Sequence, residues 1–153
     1  YKIMKKKIIL ICCLFFLTSC GYKALYSSKN SSNILINKIE TVGEKKINRQ
    51  ILSLLSLDEV GELENSYVLN INTKKNKRIV SKDKQGNASV YNLNLEINIS
   101  LNKDNQKVTK TFTSDFSYNT QKNKFELSRE ENKILNNLVE SMVEKIILFI
   151  NMQ

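Results

Sequence analysis

Tyr91, Leu93, Leu95, Ile97, Ile99 and Leu101 alternate with Asn92, Asn94, Glu96, Asn98 and Ser100. A two-residue period sends successive side chains to opposite faces, so this stretch predicts a strand with one buried and one open face. Upstream, Tyr67, Leu69 and Ile71 share one face of a second alternating segment. Downstream, Val108, Phe112, Phe116 and Tyr118 oppose Thr109, Thr111, Thr113 and Ser117. Residues 83–87 (DKQGN) and 102–105 (NKDN) carry turn chemistry. The three segments therefore predict an antiparallel meander.

The pattern changes period on either side. Residues 34–40 (ILINKIE) are rich in β-branched residues and predict a first strand. Ile47, Ile51, Leu54 and Leu55 then recur at helical spacing within residues 44–57, with Thr41 and Glu44 at capping-box spacing and Gly61 as a stop signal. Near the end, Ile134, Leu135, Leu138, Val139, Met142, Val143, Ile146 and Ile147 form a wide apolar stripe. Ser128 and Glu131 make a second capping-box pair before it. The order β-α-β-β-β-α predicts a two-layer α+β domain, with about four strands covered on one face by two helices.

The first residues follow a different logic. Lys5, Lys6 and Lys7 precede the apolar run 8–17, which is too short for a membrane-spanning helix. A basic segment, a short apolar run and small residues before a cysteine make a secretory signal. Leu17-Thr18-Ser19-Cys20 resembles the lipobox of bacterial lipoproteins, in which the cysteine receives the lipid and becomes the first mature residue. The alternative is an ordinary signal peptide with an incidental cysteine. Met4 is the expected start, because the lysines follow it at once. The organisation expected is a signal peptide over 1–19, lipidated Cys20 and a flexible polar tether over 20–33, and one α+β domain over 34–153.

Composition narrows the chemistry. The chain has 24 basic and 15 acidic residues, net +9. Lys2, Lys5, Lys6 and Lys7 lie before the cleavage point, so the mature balance is 20 to 15, or +5. That permits weak attraction to anionic surfaces and argues poorly for nucleic acid. All three cysteines fall at or before position 20, and there is no histidine. These counts exclude a mature disulfide, thiolate or histidine metal sites, and Ser-His-Asp or Cys-His catalysis. Four glycines form no phosphate loop, and the lack of tryptophan weakens a sugar-cleaving cleft. The reading is a non-enzyme with no metal and no cofactor beyond the covalent lipid on Cys20.

Cys20-Gly21-Tyr22-Lys23-Ala24-Leu25-Tyr26 resembles the mature start of the LptE family of lipopolysaccharide-assembly lipoproteins. That family shows Cys-Gly, an aromatic, a variable residue, Pro, Leu and Tyr there, and Ala24 stands where it has proline. The order of elements is also similar. The resemblance implies an outer-membrane lipoprotein facing the periplasm, which plugs and helps assemble the LptD β-barrel. Together the pair would insert lipopolysaccharide into the outer leaflet. Gly21 after the lipidated cysteine is compatible with outer-membrane sorting.

Three surfaces follow as candidates. Lys74, Lys75, Lys77, Arg78, Lys82 and Lys84 surround the turn between the second and third strands. They either meet lipopolysaccharide phosphates or form a solvated hairpin that guards the sheet edge. Asn92, Asn94, Asn98, Thr109, Thr111 and Thr113, with Glu96 and Asp115 as charged exceptions, give a nearly neutral open face. That face suits a polar barrel lumen, or it reflects the asparagine bias of the whole chain. Tyr22, Leu25 and Tyr26 pack either at a membrane or barrel interface or onto the domain's own core. The rival functions are an accessory subunit of another outer-membrane assembly or lipid-transport complex and, third, an envelope hydrolase.

Overall fold

The computed structural model describes residues 34–61 and 63–153. The expected signal peptide and tether, with Cys20 and the motif residues Gly21, Tyr22, Leu25 and Tyr26, lie outside them. The described chain runs β1 (Ile36–Gly43), α1 (Lys45–Leu55), β2 (Tyr67–Lys82), β3 (Ala88–Lys103), β4 (Gln106–Asn119) and α2 (Lys124–Ile150). One sheet holds the strands in the order β1-β2-β3-β4. β1 and β2 are parallel, and the other two pairs are antiparallel. Parallel neighbours need a crossover, which α1 supplies. The expected α+β order and the antiparallel meander are both present.

The alternation in β3 sets the layers. Leu93, Leu95, Ile97, Ile99 and Leu101 are buried under the helices, and Leu69 and Ile71 of β2 join them. α1 contributes Ile47, Ile51 and Leu55. α2 contributes Ile134, Leu135, Leu138, Val139, Met142, Val143, Ile146 and Ile150. Full burial of one such aliphatic side chain is worth about 1.5–3 kcal/mol. Phe112 of β4 meets Phe149 of α2 edge to face, with ring centroids 6.1 Å apart. Phe116 shares the core phase of Phe112 but is 50% exposed, because β4 is an edge strand.

The helix starts differ from expectation. Thr41 belongs to β1, and no capping box forms with Glu44, which caps α1 by its backbone alone. The Glu44 N–H donates to Thr73 Oγ1 at 3.0 Å. The reason lies at Gly43, whose φ is +99°, and where a Cβ would stand 1.9 Å from the Thr73 carbonyl oxygen. Only glycine passes there, so this turn fixes where α1 begins. Asn48 seals the junction: its amide donates to Val42 O at 3.1 Å and accepts from Thr73 Oγ1 at 2.8 Å. α1 ends at Leu55, with Ser56 left-handed at φ 48°, so Gly61 is not its stop. α2 begins a turn before the second capping pair, capped by Asn123, which accepts from Phe125 N at 2.9 Å. Ser128 therefore sits within the helix, and Glu131 serves another purpose.

Candidate functional site

Strand length makes the candidate surface. β2 and β3 each have 16 residues, and β2 carries no apolar residue on its helix side between Ile71 and Ile79. The sheet therefore outruns its aliphatic core at the end where β2 turns into β3. Because the register pairs Lys75 with Leu95 and Lys77 with Leu93, these two lysines lie on the helix side. Lys74 pairs with Glu96 and Arg78 with Asn92, so these two lie on the open face. Lys82 ends β2 and Lys84 stands in the turn. The six cations expected around one turn are thus divided between two faces and a tip.

The tip is built by Asp83. Its carboxylate accepts from Gln85 N at 2.9 Å and Asn87 N at 2.8 Å. Gly86, at φ +86°, donates to the Asp83 carbonyl at 3.0 Å. The backbone bond from Asn87, followed by its side-chain bond and those from Gln85 and Gly86, holds the Asp83 carboxyl below its usual range despite an opposing desolvation effect. This turn keeps Lys82 and Lys84 on either side of an ordered acidic hinge.

On the helix side, Lys77 is occupied. It forms an ion pair with Glu131 of α2, and its ammonium lies 4.1 Å from the centroid of the Tyr91 ring. Tyr118 OH donates to the same Glu131 oxygen at 2.8 Å. Burial pushes the Glu131 carboxyl up, but hydrogen bonds from Lys77 and Tyr118 and the charges of Lys77 and Lys75 hold it below its usual value. Burial first, then the bond to Glu131 and its charge, pushes the Tyr118 hydroxyl well above the tyrosine range. Four elements are clasped here, and Lys77 is spent on the clasp. Sequence reading missed this group because Glu131 had been assigned to a capping box. The one available signal was the pair of tyrosines, Tyr91 and Tyr118, at strand ends in core phase.

The open face is a set of cross-strand rows. Asn72, Asn98 and Thr111 form one row, and Asn76, Asn94 and Asp115 another. Asn98 donates to Thr111 Oγ1 at 2.8 Å. Lys74, Glu96 and Thr113 align as a third row. In the fourth, Asn92 accepts from Arg78 Nε at 3.2 Å and donates to Asp115 Oδ2 at 2.8 Å and Ser117 Oγ at 3.1 Å. Asn92 is only 2% exposed, although it is on the open side. Asn92, Asn94, Asn98, Thr109, Thr111 and Thr113 thus share one face, as the alternation predicts. Its amides and hydroxyls both donate and accept, so the face can meet another polar wall at many points. Among the described residues no cluster of acidic or sulfur side chains could hold a metal ion.

Solved structures share this architecture. The rare lipoprotein B from Shewanella oneidensis superposes with a TM-score of 0.57 at 16% identity, covering 73% of this chain and 91% of that one. A minor lipoprotein from Acinetobacter baumannii gives 0.51 at 14% identity, covering 76% of this chain and 93% of that one. At such identities the likeness is one of fold. No curated protein matches the chain in sequence. The family model for lipopolysaccharide assembly, LptE, matches residues 24–150. That span takes in every element from β1 to α2, and the chain therefore belongs to the LptE family of lipopolysaccharide assembly.

Proposed function

We propose that this protein is an outer-membrane lipoprotein, anchored through Cys20 on the periplasmic side, that plugs the LptD β-barrel and helps it assemble. In that position it assists the insertion of lipopolysaccharide into the outer leaflet. The observation that supports the plug most directly is the open sheet face. It presents rows of amides and hydroxyls with few charges, and the lumen of a large barrel is polar. The uncommitted cations Lys74, Lys82 and Lys84, with Arg78 at the edge of the same face, supply charge for lipopolysaccharide phosphates. The role is one of binding and assembly, with no catalytic step. Among the described residues no helix is long and apolar enough to cross a membrane.

The test is a detergent pull-down of the lipidated protein with mass spectrometry of its partners. A one-to-one complex with a large β-barrel of lipopolysaccharide export is expected. Capture of a different envelope assembly would replace the plug with an accessory role there. Cys20→Ala should leave the protein soluble or uncleaved, since stable anchoring needs more than one acyl chain. Membrane fractionation of that variant with its mass unchanged would rule out the anchor.

A further inference from the structure

The end of the domain opposite the basic tip has its own surface. There β1 begins, β3 gives way to β4, and α2 finishes. The Leu35 carbonyl accepts from Tyr67 N at 2.8 Å, and the Ile36 carbonyl accepts from Val60 N at 2.9 Å. These bonds gather residues 57–61 and 63–66 beside the first described residues. Ile34, Leu35, Tyr67, Lys103 and Met152 line an open cleft of about 510 Å³. The Lys103 ammonium stands 5.3 Å from the Tyr67 ring centroid. At this end Leu35, Val60, Leu63, Val108, Leu148 and Met152 are exposed, Leu148 at 65% and Met152 at 80%. They make up most of the large apolar side chains exposed among the described residues. The remainder are Val42 midway and Ile79, Val80, Phe116 and Phe125 towards the basic end. Scattered single exposures need no explanation, but a set gathered at one end of a domain does.

Local charge at this end differs from the net charge. Asp58, Glu59, Glu64 and Asp104 stand here with Lys38, Lys103 and Lys107, and Glu59 already accepts from Ile39 N at 2.8 Å. The mature chain is cationic, yet at this end the charges nearly balance.

We infer that this end is a seat for a zwitterionic phospholipid surface, with the exposed aliphatics entering the headgroup region. The occupant follows from where the chain leaves the domain. Fourteen positions separate Cys20 from Ile34, so even fully extended they span at most about 50 Å. β3, with 16 residues, is itself about 50 Å long. A lipid on Cys20 thus holds this end within one tether length of the membrane, whereas in an upright domain the basic tip is a further strand length away. Tethering raises the effective membrane concentration, so a surface too weak to bind alone suffices. Tyr67 has the amphipathic character favoured at the interface, and Lys103 can lie along the apolar surface with its charge in water. With its charges nearly balanced, this end gains no attraction to anionic headgroups, unlike the basic tip. The inference rests on the lipid anchor proposed above.

The full lipidated protein is reconstituted in phosphatidylcholine vesicles containing a lipid-borne shallow quencher. A fluorophore is placed through Leu63→Cys or, as the reference, Lys84→Cys. Quenching at position 63 should be several-fold that at position 84, and should not rise when phosphatidylglycerol replaces part of the phosphatidylcholine. Leu148→Glu with Met152→Glu should bring position 63 down to the reference level while the protein still floats with the vesicles. Both side chains are exposed, so the fold should survive the changes. Equal quenching at the two positions, or quenching at 63 indifferent to the double substitution, would overturn the seat and leave the anchor standing. It would point to a protein partner at this end. Failure of the lipidated protein to float would overturn both.

Discussion

The same sheet is two different objects along its length. From Leu95 to Leu101 the helix side of β3 is fully buried beneath α1 and α2, and its partners Leu69 and Ile71 in β2 are equally dry. Further along the same face, β2 offers Lys75, Lys77 and a half-exposed Ile79. One half is held by apolar burial, the other by strand pairing and a polar clasp. A strand register forces this division, since one phase of alternation must serve both halves. The covered half gives stability, and the projecting half carries the charges and amides that can meet partners.

The largest effect should come from breaking the covered half. Ile97 is fully buried and Asn98 is its open-face neighbour. Ile97→Asp places an unpaired carboxylate in the core, a cost of several kcal/mol, and should unfold the domain. Asn98→Asp loses one donated bond to Thr111, roughly 1 kcal/mol, and should lower Tm only modestly. Thermal melts showing equal small losses for both would contradict the assignment of faces.

That contrast was legible in the sequence because burial imposes a period. β3 and α2 each repeat their apolar residues at the spacing that their geometry demands, so the strand and the helix's apolar stripe are both present. The helix starts were not legible, because a Ser or Thr three places before a Glu satisfies the capping pattern wherever it falls. Thr41 fell in a strand and Ser128 inside a helix. Gly43 and Asn123 fixed the true starts, the first by a close backbone approach that no local pattern shows. The division of the basic hairpin between faces was hidden for a related reason. Without apolar residues to mark their phase, residues 74–78 read as a cluster, whereas the register separates neighbours by face. Glu131 meets Lys77 across 54 positions of chain, a contact with no local sequence signal.

A middle-sized effect should come from the clasp. The Glu131 carboxyl is held below its ordinary value, so its contribution is complete above about pH 4.5 and is lost as pH falls through the lower folded value. The Tyr118 hydroxyl is raised above its ordinary 10.0, so its contribution is complete below that pH and is lost as pH rises beyond it. Glu131→Gln should therefore flatten the acid limb of the stability curve, and Tyr118→Phe the alkaline limb. At neutral pH each should cost about 1 kcal/mol, because the pair is only partly shielded from water. Denaturant melts between pH 3 and 11 would decide this. An acid limb unchanged by Glu131→Gln would show that the projecting half is held by strand pairing alone.

The smallest effect on stability should carry the most information on binding. Lys74 and Arg78 lie on the open face, whereas Lys77 is committed to Glu131 and Tyr91 and Lys75 stands beside the same carboxylate. Lys74→Ala with Arg78→Ala removes two charges and one bond to Asn92, and should shift stability by no more than about 1 kcal/mol. Lys75→Ala with Lys77→Ala should cost more, because it leaves Glu131 without its cation. If lipopolysaccharide phosphates are met from the open face, affinity should follow the first pair and not the second. The attraction should also fade with added salt, as exposed charges are screened within about 10 Å at 0.1 M. Direct lipopolysaccharide binding measured for both pairs at two salt concentrations separates the faces. Full affinity retained by both pairs would place the contact at the tip, where Lys82 and Lys84 flank the turn built on Asp83.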